Sequence, residues 1–250
     1  MNTSNYIYYH GEQECHAYLA YDDRIEEPRP VVLVAHDWSG RNEFACKKAE
    51  QLAKMGYVGF AIDMYGQGRL GETKDEKLAL MEPLMADRRL LRARILAAFD
   101  AALELPEVDS TRVGAIGFCF GGLCVLDLAR SGVNVSGVVS FHGLFQKPDD
   151  LKSYPILAKV LALHGYEDPM VKPDAVNAFA NEMTEAKVDW QIHMYGQTQH
   201  AFTNPLADDK TAGLMFNPTA ERRSMQAMVY FLDELFSTGM SSKECGVAPQ

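Results

Sequence analysis

Residues 112–129 read RVGAIGFCFGGLCVLDLA. The first half is a short apolar run with the character of a buried strand, and the second half, from Phe120, has the apolar spacing of a helix. Between them stands GFCFGG, residues 117–122. A strand that turns directly into a helix, with small residues two before and two after the turning residue, is the pattern of a nucleophile elbow. Gly117 and Gly121 hold those places around Cys119, and Gly122 adds clearance. A helix N-terminus following the cysteine favours its charged thiolate form. A tight turn around a buried structural cysteine remains an alternative at this level. A dinucleotide loop requires G-x-G-x-x-G near the first strand, whereas this turn lies mid-chain with cysteine at position 119. A Walker loop requires G-K-[ST], which the turn lacks.

Outward from the elbow, short β-branched or apolar runs alternate with longer helical patterns. Strands are expected at 5–10, 14–21, 30–36, 57–62, 112–117, 135–141, 158–164 and 188–195. Helices are expected at 43–55, 75–105, 120–131, 173–186 and 219–237. This alternation predicts an α/β fold with a mostly parallel central sheet of about eight strands and helices on both faces. The first two strands follow each other without a helix, which predicts an antiparallel hairpin at one edge. One domain over residues 1–238 and a C-terminal tail over 239–250 account for the chain.

Composition narrows the possibilities. The 250 residues are 47% hydrophobic and 23% charged, with a net charge of −10. An acidic surface repels phosphate backbones and gives no basic anchor for anionic membranes, so neither nucleic acid nor a membrane is expected as a partner. The N-terminus MNTSNYIYYHGEQE has no basic start and no apolar stretch of signal-peptide type, and a cytoplasmic location is expected. Five cysteines, odd in number and without CxxC spacing, argue against a disulfide framework or a structural zinc site. Cys46 and Cys124 read as core packing.

In a mostly parallel sheet, chemistry collects beyond the carboxyl ends of the strands. Those ends carry His36-Asp37-Trp38, Asp63-Met64-Tyr65-Gly66, the elbow, His142-Gly143, Glu167-Asp168-Pro169 and Gln199-His200. Nucleophilic catalysis needs a base beside the nucleophile and an acid that orients the base. Cys119, Asp168 and His200 follow the chain order nucleophile, acid, histidine, each just past an expected strand. Glu167 is a rival carboxylate. His36, His142 and His164 also fall at strand ends, but their spacing matches no HExxH-type motif; no metal site is expected.

At this point the sequence resembles the dienelactone hydrolase family of α/β-hydrolases. The motifs that carry the resemblance are VVLVAHDWSG (31–40), DMYG (63–66), GFCFGG (117–122), LALHGYEDPMV (161–171) and MYGQTQHAFTNP (194–205), and it covers about residues 5–237. The resemblance implies the α/β-hydrolase fold and a Cys119–Asp168–His200 triad. It implies an oxyanion hole formed by the backbone N–H groups of Trp38 and Phe120, with Phe202 and Asn204 as substrate-binding positions. It also implies a carboxylic ester hydrolase, similar to carboxymethylenebutenolidases, that takes an ester or lactone and needs no cofactor or metal. A monomer or weak homodimer is expected. Two positions depart from the family pattern. Its best-known members have a glutamate in the first loop that helps deprotonate the thiol; here the residue is Asp37, one methylene shorter. They also have an arginine for the substrate carboxylate four residues after the catalytic histidine; here it is Asn204. Arg88, Arg89 and Arg92 are near a second such position in sequence only. Two other classes of function stand beside hydrolysis: a non-catalytic pseudo-hydrolase that binds a small ligand, and a thiol redox sensor pairing Cys119 with Cys124.

Overall fold

Two strands come first. β1 (Asn2–His10) and β2 (Gln13–Tyr21) form the expected antiparallel hairpin, with Gly11 at φ 59° in the two-residue turn. Period-two patterning of β2 buries Cys15, Ala17 and Leu19. These coordinates are a computed structural model that describes residues 1–149, 151, 152 and 154–237. The expected tail at 239–250, and residue 238 at the expected domain end, lie outside the described residues.

The next run, RPVVLVA, is buried on both faces and forms β3 (Arg29–Ala35), as a central parallel strand requires. There follow α1 (Glu43–Lys54), β4 (Val58–Ala61), α2 (Lys74–Ala86), α3 (Arg88–Leu103), β5 (Val108–Phe118), α4 (Phe120–Arg130), β6 (Gly137–Phe141), β7 (Lys159–Gly165), α5 (Pro173–Glu185) and β8 (Trp190–Tyr195). A two-stranded ribbon, β9 (Asp208–Asp209) with β10 (Leu214–Met215), precedes the last helix, α6 (Pro218–Phe236). The main sheet has the order β1-β2-β4-β3-β5-β6-β7-β8. β2 is antiparallel to both β1 and β4, and every later pairing is parallel.

Alternation along β3 divides the core. Val31, Leu33 and Ala35 face a cluster built with Leu91 and Ile95 of α3, Leu123 of α4 and Phe179 of α5. Val32 and Val34 face Ala49 and Leu52 of α1 and Met228 and Leu232 of α6. Each large side chain buried in this way contributes ~1.5–3 kcal/mol of transfer free energy. The layers are helix, sheet, helix, and this is the α/β-hydrolase fold.

The structure corrects one helix. The expected single helix at 75–105 is two helices broken at Asp87. Asp87 leaves helical backbone at φ −119°, ψ 90°, and its carboxylate accepts from the N–H groups of Arg89 and Leu90. A side chain that caps in this way competes with helix continuation, and Pro83 has already removed one backbone donor from the last turn of α2. The ribbon β9–β10 escaped notice because two-residue strands leave no periodic signal.

One consequence of the strand order sets the position of the site. From β3 the chain runs outward one way to β4, then returns to place β5 on the other side of β3. The carboxyl ends of β3 and β5 therefore flank a topological switch point, where α/β sheets open a crevice.

Candidate active site

β5 ends at Phe118, α4 begins at Phe120, and Cys119 between them has φ 55° and ψ −113°. A β-carbon makes such a backbone costly, ~1–3 kcal/mol, so the surroundings must hold it in place. The Cys119 N–H donates to Phe141 O at 3.0 Å, and its carbonyl accepts from Gly122 N at 3.0 Å. The glycines give the turn its room. A β-carbon on Gly117 would stand 2.0 Å from Gly121 O, and one on Gly121 would stand 2.1 Å from Ala35 O. One on Gly122 would meet Gly143 Cα and Ser140 Oγ, each at 2.7 Å. Strand, helix and the end of β3 thus approach more closely than any side chain allows, and Cys119 is presented at the switch point.

Two residues far apart in the chain meet beside it. Asp168, in the turn after β7, accepts from His200 Nδ1 at 2.7 Å through Oδ2 and from the Met170 N–H at 2.8 Å through Oδ1. His200 is pinned by the ribbon: its N–H donates to Gly213 O, and its carbonyl accepts from Met215 N. The position of β9–β10 is thus part of the site, and sequence patterning did not disclose it. His200 and Asp168 are 1% and 2% exposed. Burial alone would lower the His200 pKa; the charge of Cys119 and the hydrogen bond to Asp168 outweigh it and push the value up to about 10. Nε2 of His200 has no hydrogen-bond partner within bonding geometry. Cys119 acts on this ring through its charge first and through its nearness as a side-chain partner second, and Nε2 is the ring nitrogen that Asp168 leaves open.

Asp37, Trp38, Cys119, Phe120 and His200 all line one cavity of about 770 Å³. Neither the Trp38 nor the Phe120 N–H donates to a protein acceptor among the described residues. Asp37 Oδ1 accepts from the Ser39 N–H at 2.8 Å, which shapes the loop after β3. No hydrogen bond joins Asp37 to Cys119. Asn204 lines the cavity, with Oδ1 accepting from Leu206 N at 2.9 Å. Phe202 does not line it. Its ring is fully buried, edge-on to His142 and Tyr195, so its place is beneath the histidines rather than against a substrate.

Among the described residues no arginine lines this cavity; beside the His200 ring, its cationic side chains are Lys74 and Lys77, the latter over the Trp38 ring at 5.4 Å. Arg88 is committed to a buried ion pair with Asp127 at 2.7 Å, and Arg92 donates to Lys152 O. The expected exclusion of a metal rested on spacing. The three other strand-end histidines have hydrogen-bond partners, and burial lowers the pKa of each. His36 lies between Asp37 O and Met64 N, His142 against Thr203 Oγ1, and His164 against Val171 O. Among the described residues no group of three or more His, Cys, Asp or Glu side chains is arranged to hold a metal ion. Cys124 is fully buried in α4, and burial pushes its thiol well above the usual range.

A second carboxylate shapes the loop after β4. Asp63 is fully buried and accepts from the N–H groups of His16, Tyr65, Gly66 and Gly68. This fixes Tyr65, whose hydroxyl donates to Trp38 O at 3.0 Å and whose ring stacks on Phe120. Asp63 followed closely by Gly66 and Gly68 is the sequence signal that could have disclosed such a loop.

Fold and cavity together define a hydrolase of the α/β-hydrolase class. A family model for the dienelactone hydrolase family matches residues 15–236, and the chain belongs to that family. Among solved structures, m3DLH is 38% identical with a TM-score of 0.87, over 94% of this chain and 99% of that one. The dienelactone hydrolase-like promiscuous phosphotriesterase P91, from metagenomic libraries, is 36% identical with a TM-score of 0.88, over 94% of this chain and 98% of its own. The Caenorhabditis elegans protein K02A2.1 is 35% identical over 150 residues, which is 59% of this chain and 95% of that protein. Among the described residues no helix is long and apolar enough to cross a membrane.

Proposed function

We propose that this hydrolase cleaves an ester or lactone through an acyl-Cys119 intermediate, with Cys119, His200 and Asp168 as a catalytic triad. The observation that carries the reading is the buried Asp168–His200 pair, bonded at 2.7 Å, whose histidine lines one cavity together with a cysteine in strained backbone. The Cys119 thiolate attacks the carbonyl carbon, and the carbonyl π pair moves to oxygen. The Trp38 and Phe120 N–H groups, which have no other acceptor among the described residues, receive that oxyanion. Collapse expels the leaving oxygen, which takes the proton from His200 Nε2, and a thioester remains on Cys119. Neutral His200 then removes a proton from water; the hydroxide attacks the thioester and the thiolate departs. Asp168 holds the imidazole tautomer and orientation throughout.

Sulfur narrows the substrate class. The tetrahedral intermediate holds both a thiolate and the substrate's leaving oxygen, and a thiol, with a usual pKa of ~8.5, is expelled before an alkoxide. Enol-lactones, aryl esters and thioesters are therefore the preferred substrates. The test is rapid quench with p-nitrophenyl acetate followed by intact-mass analysis. One acetyl group on the wild type and none on Cys119→Ala supports the reading. Turnover with no Cys119-dependent adduct counts against it.

A further inference from the structure

We propose that His36 is a positioning residue that aims and polarises the Trp38 N–H toward the substrate oxyanion. This rests on the hydrolase reading above, in which that N–H is an oxyanion donor. The argument begins with one peptide unit. The carbonyl of Asp37 and the N–H of Trp38 belong to the same amide, and the chain has no cis peptide bond among the described residues. The two groups therefore point in opposite directions. Asp37 O accepts from His36 Nδ1 at 2.6 Å and, more weakly, from the Gly40 N–H at 3.3 Å. Whatever fixes that carbonyl also fixes the N–H on the other side of the amide plane, which points away from His36 and donates to no acceptor among the described residues.

The proton on His36 is assigned by its partners. Nε2 accepts from the Met64 N–H at 3.1 Å, so the ring's single proton sits on Nδ1 and donates to Asp37 O. The result is a directed chain: Met64 N–H to His36 Nε2, His36 Nδ1–H to Asp37 C=O, and Trp38 N–H to the oxyanion. Each bond in such a chain strengthens the next, by about 10–30%. The imidazole has no freedom to swing. It is fully buried, edge-on to Tyr65 at 4.7 Å, and 6.1 Å from the Phe120 ring. Tyr65 in turn holds the next carbonyl, Trp38 O. Phe120 therefore packs on the His36–Tyr65 pair, and the same pair holds the two carbonyls that flank the Trp38 N–H.

The test compares His36→Leu, which removes the relay, with His36→Gln, which retains one donor and one acceptor. Three quantities are measured in each: the burst rate of acylation by p-nitrophenyl acetate, the rate of Cys119 alkylation by iodoacetamide, and the Trp38 amide proton shift by NMR. Alkylation needs the thiolate but no oxyanion hole, so it separates the two functions. Loss of a whole oxyanion donor costs ~10²–10³-fold, and misaiming one is expected to slow acylation roughly 10–100-fold in His36→Leu. Alkylation is expected to stay unchanged, the Trp38 amide proton to move upfield, and His36→Gln to recover most of the acylation rate. Acylation at the wild-type rate in His36→Leu overturns the relay and leaves the hydrolase reading standing. A parallel fall in acylation and alkylation also overturns it, because the nucleophile rather than the oxyanion hole is then disturbed. Should wild-type acylation not depend on Cys119, the hydrolase reading fails, and the Trp38 shift alone decides whether His36 polarises that amide.

Discussion

Asp168 Oδ2 lies 2.7 Å from His200 Nδ1, and both side chains are withdrawn from solvent. With the Cys119 charge beside it, the imidazole is held as a cation up to about pH 10. The raised pKa sets the sign of the linkage. The pairing stabilises the fold fully below the ordinary histidine value of 6.5, and this contribution is lost as pH rises through about 10. An NMR titration of the His200 ring is expected to give a midpoint near 10 in the wild type and a lower one in both Cys119→Ala and Asp168→Asn. The difference in unfolding free energy between wild type and Asp168→Asn is expected to shrink over the same range.

The two cysteines of α4 and its cap allow the proposed nucleophile to be tested against one that only packs. Cys119→Ala is expected to abolish hydrolysis, by at least ~10⁴-fold in kcat, with the fold intact. Cys124 is fully buried one helical turn into α4, and Cys124→Ala is expected to keep most activity at a modest cost in stability. Steady-state kinetics and urea unfolding of both variants check this. Equal loss of activity in the two would show that the elbow has been misread.

Gly121 ties the elbow to the loop after β3. Gly121→Ala places a methyl 2.1 Å from Ala35 O and 2.6 Å from His36 O, both backbone atoms that cannot swing aside. A loss of about 1–3 kcal/mol is expected from such overpacking. Activity is expected to fall further than stability, because the displaced segments carry Cys119 and Trp38. Measuring kcat at a temperature where the variant remains folded separates the two effects.

Charge in the cavity bears on the substrate. Asp37, Glu72, Asp208 and Asp209 line it against Lys74 and Lys77, and Asn204 cannot make the bidentate pair an arginine makes with a carboxylate. A carboxylated lactone is expected to react more slowly than its uncharged analogue. A strong preference for the carboxylated one would show that the two lysines do what arginine would.

Asp37 lines the cavity, but one carboxylate oxygen is engaged by the Ser39 N–H. Asp37→Ala is expected to slow hydrolysis less than loss of His200 does, since general-base assistance is worth ~10²–10⁴-fold and the shorter side chain delivers the lower part of that range. The pH–rate profile is the check; an unchanged profile and rate would remove Asp37 from the mechanism.

What the sequence disclosed follows from which features leave a local pattern. The elbow was legible because Gly117 and Gly121 are spaced by the close approach of strand and helix, a purely local demand. Asp168 and His200 could be placed at strand ends because β7 and β8 carry runs of apolar or alternating residues. Their meeting was expected from the chain order and the family resemblance, and the 2.7 Å bond agrees with it. The ribbon that pins His200 was not legible, because two-residue strands are held by tertiary contacts rather than by propensity. The break at Asp87 was hidden by helical periodicity on both sides of it. Phe202 could not be separated from the cavity by its position beside His200, since which side of a turn a ring packs on is decided by Tyr195 of β8 and by His142, far away in the chain. His36 looked like one of three equivalent strand-end histidines. Only its two partners, Met64 N and Asp37 O, set it apart.

The most direct test of a sulfur nucleophile is the leaving-group dependence of kcat/KM, measured with acetate esters of graded leaving-group pKa for the wild type and Cys119→Ser. Attack by Cys119 gives an intermediate that reverts unless the leaving oxygen departs more readily than the thiolate. The wild type is expected to show a steep fall as leaving-group pKa rises, with aryl acetates good substrates and ethyl acetate poor. Cys119→Ser is expected to narrow that gap, because its alkoxide is not expelled preferentially. A flat dependence in the wild type would contradict the account.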